Sequence, residues 1–168
     1  MDRITKSLLG EFAGEASLTD LPENSQFEHF ASYLTIGRHV GEALVTEDVV
    51  IGSGADTGID AVATIVNGSL ATDEELVSQL ADQNGYLDVT VVFVQAERSS
   101  GFESGKIGQF GYGVVDFFSE DPKLPRNTAV EEAAKAMAAV FDKSSKFKRG
   151  NPICPRPISP WSRSRGDR

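Results

Sequence analysis

Residues 49–68 read V-V-I-G-S-G-A-D-T-G-I-D-A-V-A-T-I-V-N-G, and residues 87–100 read L-D-V-T-V-V-F-V-Q-A-E-R-S-S. These two runs decide the fold, because each is an apolar strand pattern with acidic or amide residues at one end. Successive side chains of a strand point to opposite faces. Over residues 59–66, Asp60 therefore shares a face with Val62 and Thr64, while Ala61, Ala63 and Ile65 take the other. Over residues 89–98, Val91, Phe93, Gln95 and Glu97 fall on one side, and Val92, Val94, Ala96 and Arg98 on the opposite one. Pairing of the two strands brings Asp60, Gln95 and Glu97 to one sheet edge. Two carboxylates and an amide form an all-oxygen donor set of the kind Mg²⁺ prefers, with Asp60 and Glu97 as the candidate metal ligands.

Outward from this pair the chain alternates in period. Upstream, apolar residues at 4, 8, 9, 12 and 16 give a helical spacing, and Pro22 marks a connector. Ser25 with Glu28 fits a capping box, followed by a stripe of Phe27, Phe30, Ala31 and Leu34 in a helix ending near Gly37. Residues 49–51 read as a short strand, and Asn67-Gly68 as the turn closing the strand that begins at Ile59. Thr72 with Glu75 repeats the capping box before a helix that Asn84-Gly85 stops. Residues 89–96 are apolar on both faces, which predicts a central strand covered on both sides. A helix follows over 106–118, with Gly108, Gly111 and Gly113 explained by close packing on the sheet. Thr128 with Glu131 opens a last, Ala-rich helix carrying Val130, Ala134, Met137 and Phe141 on one face. Lys143, Lys146, Lys148 and Arg149 follow it, where the helix dipole favours cations.

Composition narrows the class. The 168 residues suit one domain with a tail, long enough to bury roughly 70% of its unfolded surface. No apolar run spans a bilayer, and the charged N-terminus does not read as a signal peptide. A single cysteine, Cys154, fits a reducing, cytoplasmic setting, and one Cys with two His is too few for a structural zinc site. Residues 155–168 hold four arginines against Asp167, a net +3, so the other 154 residues carry −12 of the total −9. Such a body disfavours nucleic acid unless a local basic patch overrides the field. Four of the seven prolines lie from Pro152 onward, which predicts a domain over 1–154 and a disordered Pro/Ser/Arg-rich tail over 155–168.

The order helix, strand, strand with Asp, strand with Q-x-E, helix resembles the αβββαβ core of the PD-(D/E)XK, restriction-endonuclease-like nucleases: an α/β fold with a mixed central sheet flanked by helices. More narrowly, Phe27-Glu28-His29-Phe30, Asp56-Thr57-Gly58-Ile59-Asp60-Ala61, Ile65-Val66-Asn67-Gly68 and Phe93-Val94-Gln95-Ala96-Glu97 are similar to the N-terminal region of AIPR proteins, which are linked to abortive phage infection. The similarity covers roughly residues 20–154. The resemblance implies that Glu28 is the acidic residue of the first helix, Asp60 the metal-binding aspartate and Gln95 the first residue of the third-strand motif. The pattern departs at Glu97, where such proteins carry a lysine that activates the attacking water and stabilises developing negative charge. Lys106 and Arg98 are the candidates to replace it, although strand alternation aims Arg98 away. A second departure is the run after Cys154, where the family's last core strand is expected; a truncated or frameshifted end is the reading it suggests.

Two functions follow from this set. In one, the chain is a Mg²⁺-dependent nuclease using Glu28, Asp60, Gln95, Glu97 and Lys106. In the other, it is an inactive nuclease-like module for binding or assembly in phage defence, without membrane partners. A sheet lacking its last strand offers an unpaired edge for a homodimer.

Overall fold

The structure, a computed structural model, describes residues 1–52, 58–99, 101 and 103–146. Among the described residues it is a mixed α/β arrangement of five α-helices and a three-stranded antiparallel sheet. The strands are β1 (Ala61–Val66), β2 (Ser69–Leu70) and β3 (Val89–Val94), in the order β2-β1-β3. The helices are α1 (Arg3–Glu15), α2 (Glu23–Ile36), α3 (Glu74–Asn84), α4 (Ser104–Phe117) and α5 (Thr128–Asp142).

β1 is central, and every one of its residues is buried. It pairs with β3 from Ala61↔Val94 to Val66↔Val89. A tight turn at Asn67 and Gly68, both at positive φ, leads into β2, which the sequence pattern did not single out. Residues 49–51 form no full strand. They lie beside the start of β1 through one bridge, Val50↔Ala61, because Val49 and Val50 donate instead to Thr46 of the 3₁₀ turn Thr46–Asp48. The centre of the sheet is therefore β1, not the 89–96 strand, which is an edge among the described residues. Both strand pairings among the described residues are antiparallel. The strand expected near Cys154, the 155–168 tail, Lys148, Arg149 and Asp56 all lie outside the described residues.

The alternation read from the sequence holds on both strands. Val62 and Val66 pack with Val91 and Phe93 in one core, against α3, α4 and α5. Ala61, Ala63 and Ile65 pack with Val92 and Val94 in a second, against Ile36 of α2. Phe93 meets Phe117 and Phe118 of the α4 end edge-on, at centroid distances of 5.1 and 5.7 Å. That geometry suits the aromatic quadrupole.

Helix starts fall one to three residues from the capping boxes. Pro22, not Ser25, precedes α2; Asp73, not Thr72, caps α3 by accepting from Leu76 N at 2.8 Å. Asn127, not Thr128, caps α5. The Asn127 side chain accepts from Val130 N at 3.0 Å and donates to the Ile51 carbonyl at 2.9 Å, which ties α5 to the segment beside β1. Between α4 and α5, buried Asp116 accepts from Lys123 N at 2.6 Å, and Arg126 donates to the Asp116 carbonyl at 2.6 Å. Gly108 and Gly111 are exposed, with nothing within 4 Å of an added Cβ, so packing on the sheet does not account for them. Leu34 and Phe141 are likewise exposed rather than in the core stripes assigned to them. Among the described residues, no helix is long and apolar enough to cross a membrane.

Candidate functional site

Asp60 stands one residue ahead of β1, where the two sheet faces and the two neighbours of the strand meet. Its N–H donates to the Val94 carbonyl at 2.8 Å, and its carbonyl accepts from Ile51 N at 2.9 Å. Its side-chain Oδ2 accepts from Ala96 N at 2.6 Å. The strand register would place Gln95 opposite Asp60, yet the last ladder bond reaches Val94, so the carboxylate takes over as acceptor for the next N–H along. Burial pushes the Asp60 carboxyl above its ordinary value; the Ala96 N–H opposes this and the charge of Glu97 adds to it.

Gly58 explains how α4 comes close. Its φ is +70°, and a Cβ there would lie 3.1 Å from Phe110 N and 3.2 Å from Gln109 Cγ. Only glycine combines that backbone with that contact. The helix laid against Gly58 carries Lys106 one turn earlier, and its ammonium forms an ion pair with Glu97 Oε2. Glu97 also accepts from Ser99 N at 3.1 Å. Its carboxyl is held below the ordinary range by the Lys106 hydrogen bond first and the Ser99 N–H second, and Glu97 in turn raises Lys106.

Glu28 reaches the same neighbourhood from α2. It is half-buried, and its carboxyl is pushed up by burial and then by the charge of Asp60. Three of the carboxylates picked out in the sequence thus share one electrostatic field, with Lys106 against one of them. Gln95 follows β3 directly, half-buried, and enters no hydrogen bond among the described residues. Arg98 is taken elsewhere: it pairs with Glu23 at the start of α2 at 3.1 Å, in keeping with its place on the opposite side of the strand. The Ala96–Asp60 clasp had no counterpart in the sequence reading, since nothing in a pattern of side chains marks a backbone donor left over at a strand end. Nor did that reading mark His29, which is buried with Nδ1 2.8 Å from Thr46 Oγ1.

Whether Mg²⁺ suits this cluster turns on its donors. They are oxygens only, Asp60 is raised by burial, and its charged neighbours Glu28 and Glu97 repel it. A divalent cation relieves that repulsion, and Mg²⁺ ordinarily takes one or two protein carboxylates and completes its shell with water and phosphate. The donors are of the kind such an ion takes, but Glu97 is already paired with Lys106 and Asp60 with the Ala96 N–H, and among the described residues no group of three or more His, Cys, Asp or Glu is placed to hold one. No protein-family model, curated protein or solved structure matches the chain, so the likeness to AIPR proteins and to the nuclease fold rests on its residues alone.

Proposed function

We propose that this chain is a nuclease-like domain of the AIPR, phage-defence type that hydrolyses phosphodiester bonds of nucleic acid with Mg²⁺. The feature that supports the reading is the electrostatic influence of Asp60 on Glu28 and of Glu97 on Asp60 at the leading end of the central strand, with Lys106 paired to Glu97. Asp60 and Glu97 hold the ion. When bound, magnesium supplies a Lewis acid for the scissile phosphate and a more acidic water. Glu28, a half-buried carboxylate of raised proton affinity, serves as proton acceptor at the rim. Lys106 brings from α4 the positive charge that the motif's lysine position lacks, stabilising the negative charge that grows on phosphate. Gln95 orients substrate or water by its amide, and Arg98, bound to Glu23, has no part.

A second reading, an inactive binding or assembly module, is favoured by the same ion pair, because Glu97 neutralises the cation that catalysis needs. The acidic body points the same way. Incubation of the full chain with DNA and with RNA in Mg²⁺ or Mn²⁺, beside the Asp60→Asn variant, separates the two. Cleavage that Asp60→Asn abolishes supports the nuclease. No cleavage, but a metal-induced rise in melting temperature that Asp60→Asn removes, supports the module. Equal cleavage by both proteins discards the site.

A further inference from the structure

On the side of α2 away from the sheet, α1, α2 and residues 44–47 enclose a groove of about 630 Å³. Its aromatic wall is Phe12, with ring centroids 5.5 Å from Phe30 and 5.2 Å from Tyr33. Leu8, Tyr33, Leu34 and Val45 line it and stand 46% to 55% exposed, an unusual concentration of uncovered apolar side chains. Glu11, Glu15 and Glu47 lie among them and give the groove a negative rim. An aromatic-walled groove with carboxylates suits an extended, proline-rich segment that carries arginines. Such a segment repeats every three residues, stacks prolines spaced three apart on one face, and loses little entropy on docking.

The chain contains a segment of this chemistry. Residues 152–163 read P-I-C-P-R-P-I-S-P-W-S-R, in which Pro152 and Pro155, and again Pro157 and Pro160, are three apart. Arg156 and Arg163 supply the cations, and Trp161, the one tryptophan of the protein, a large apolar anchor. Residues 155–168 carry +3 against −12 on the rest, so the field of the body attracts the segment. We propose that residues 152–163 dock within the same molecule into the groove between α1 and α2, prolines and Trp161 on Phe12, Tyr33 and Leu34, arginines on Glu11, Glu15 and Glu47. The last described turn ends at Lys146, from which six extended residues reach Pro152 over about 20–22 Å and fifteen reach Trp161 over about 50–54 Å, against a radius of gyration of ~15 Å for a domain this size, so Trp161 and the later prolines have the freer access to the groove.

Trp161 makes the test direct, because its fluorescence reports this segment alone. In the full chain at low salt, emission is expected to be blue-shifted relative to the urea-unfolded protein. It should move to the red in the Leu34→Glu variant and in the double variant Glu11→Lys, Glu15→Lys. In 1 M NaCl, where the screening length is about 3 Å, it should move partway. Circular dichroism melts show which variants fold; Glu11 and Glu15 are exposed on α1, so the charge-reversed protein decides the matter if Leu34→Glu does not fold. Emission already at the unfolded position in low salt overturns the proposal. So does a blue shift unchanged in the charge-reversed protein, or one that grows with protein concentration, which would put the segment in a second copy.

Discussion

The N–H of Ala96 donates to Oδ2 of Asp60 across 2.6 Å, so the residue assigned to the metal also fastens the end of one strand to another. Two roles on one side chain can be pulled apart by substitution. Asparagine keeps an oxygen for Ala96 and loses the charge, whereas alanine leaves a partly buried N–H without its acceptor. Asp60→Ala is expected to cost about 1–3 kcal/mol in urea unfolding, and Asp60→Asn to match or exceed the wild type at pH 7. Equal stability of the alanine and asparagine variants would show that the clasp holds nothing.

The pH dependence of that comparison has a definite sign. Asp60 binds protons more tightly in the folded chain than at its ordinary 3.8, so protonation favours folding. Its ionisation therefore imposes no penalty below 3.8 and a full one above its raised folded value. The advantage of Asp60→Asn over the wild type should appear only as pH rises through that window. A difference that is constant from pH 3 to pH 7 speaks against burial as the cause.

Metal binding should follow the same protons. Mg²⁺ or Mn²⁺ at a hundredfold excess over its dissociation constant stabilises a site by about 2.7 kcal/mol, seen as a raised melting temperature. The rise should fade on acidification as Glu28 and Asp60, both raised, take up protons. Lys106→Met should leave the metal-induced rise in place and remove cleavage. Loss of both would instead make Lys106 a scaffold for Glu97.

Glycine substitutions divide by place. Gly108→Ala and Gly111→Ala, each with open space around the new methyl group, should stabilise α4 by up to ~1 kcal/mol apiece. Gly58→Ala should destabilise, through its positive φ and its contact with Phe110, and should weaken metal binding by displacing α4. Thermal melts of the three single variants check this; a neutral Gly58→Ala would mean that α4 is not seated there.

His29 predicts a separate acid sensitivity. Burial lowers its proton affinity from the ordinary 6.5, with the charge of Glu47 opposing, so the folded chain keeps it neutral. Its contribution is present above pH 6.5 and is lost as pH falls through the lowered folded value. His29→Gln, which retains a polar partner for Thr46, should flatten the fall in unfolding free energy between pH 7 and pH 5. An unchanged slope assigns that fall to other groups.

Much of this arrangement was legible in advance because period-2 alternation is rigid. Once residues 59–66 and 89–98 are strands, Val62 shares a face with Thr64 and Val91 with Phe93, and the packing keeps these sets together, while the register that sets Val62 opposite Phe93 lies outside the alternation. The nearness of Glu97 to Asp60 was expected from the pairing of these two strands, whereas Glu28 was picked out by the resemblance. What escaped was set by neighbours distant in sequence. Residues 89–96 looked central because both faces are apolar, but helices can cover both faces of an edge strand as well as of an inner one. Ser25, Thr72 and Thr128 were plausible caps, yet Pro22 starts one helix and the side chains of Asp73 and Asn127 take the N–H groups of the others. The Lys106–Glu97 pair depended on Gly58 letting α4 lie close, a contact no local pattern encodes.

The Asn127 brace has a bearing on how the chain comes off the ribosome. The carbonyl of Ile51 finds its side-chain donor 76 residues later, on the cap of the final helix. Until that helix emerges, residues 49–51 are held beside β1 by backbone hydrogen bonds to Asp60 and Val62 alone. A nascent chain stalled before residue 127 thus keeps the β1–β3 ladder while the segment leading into it lacks its side-chain brace.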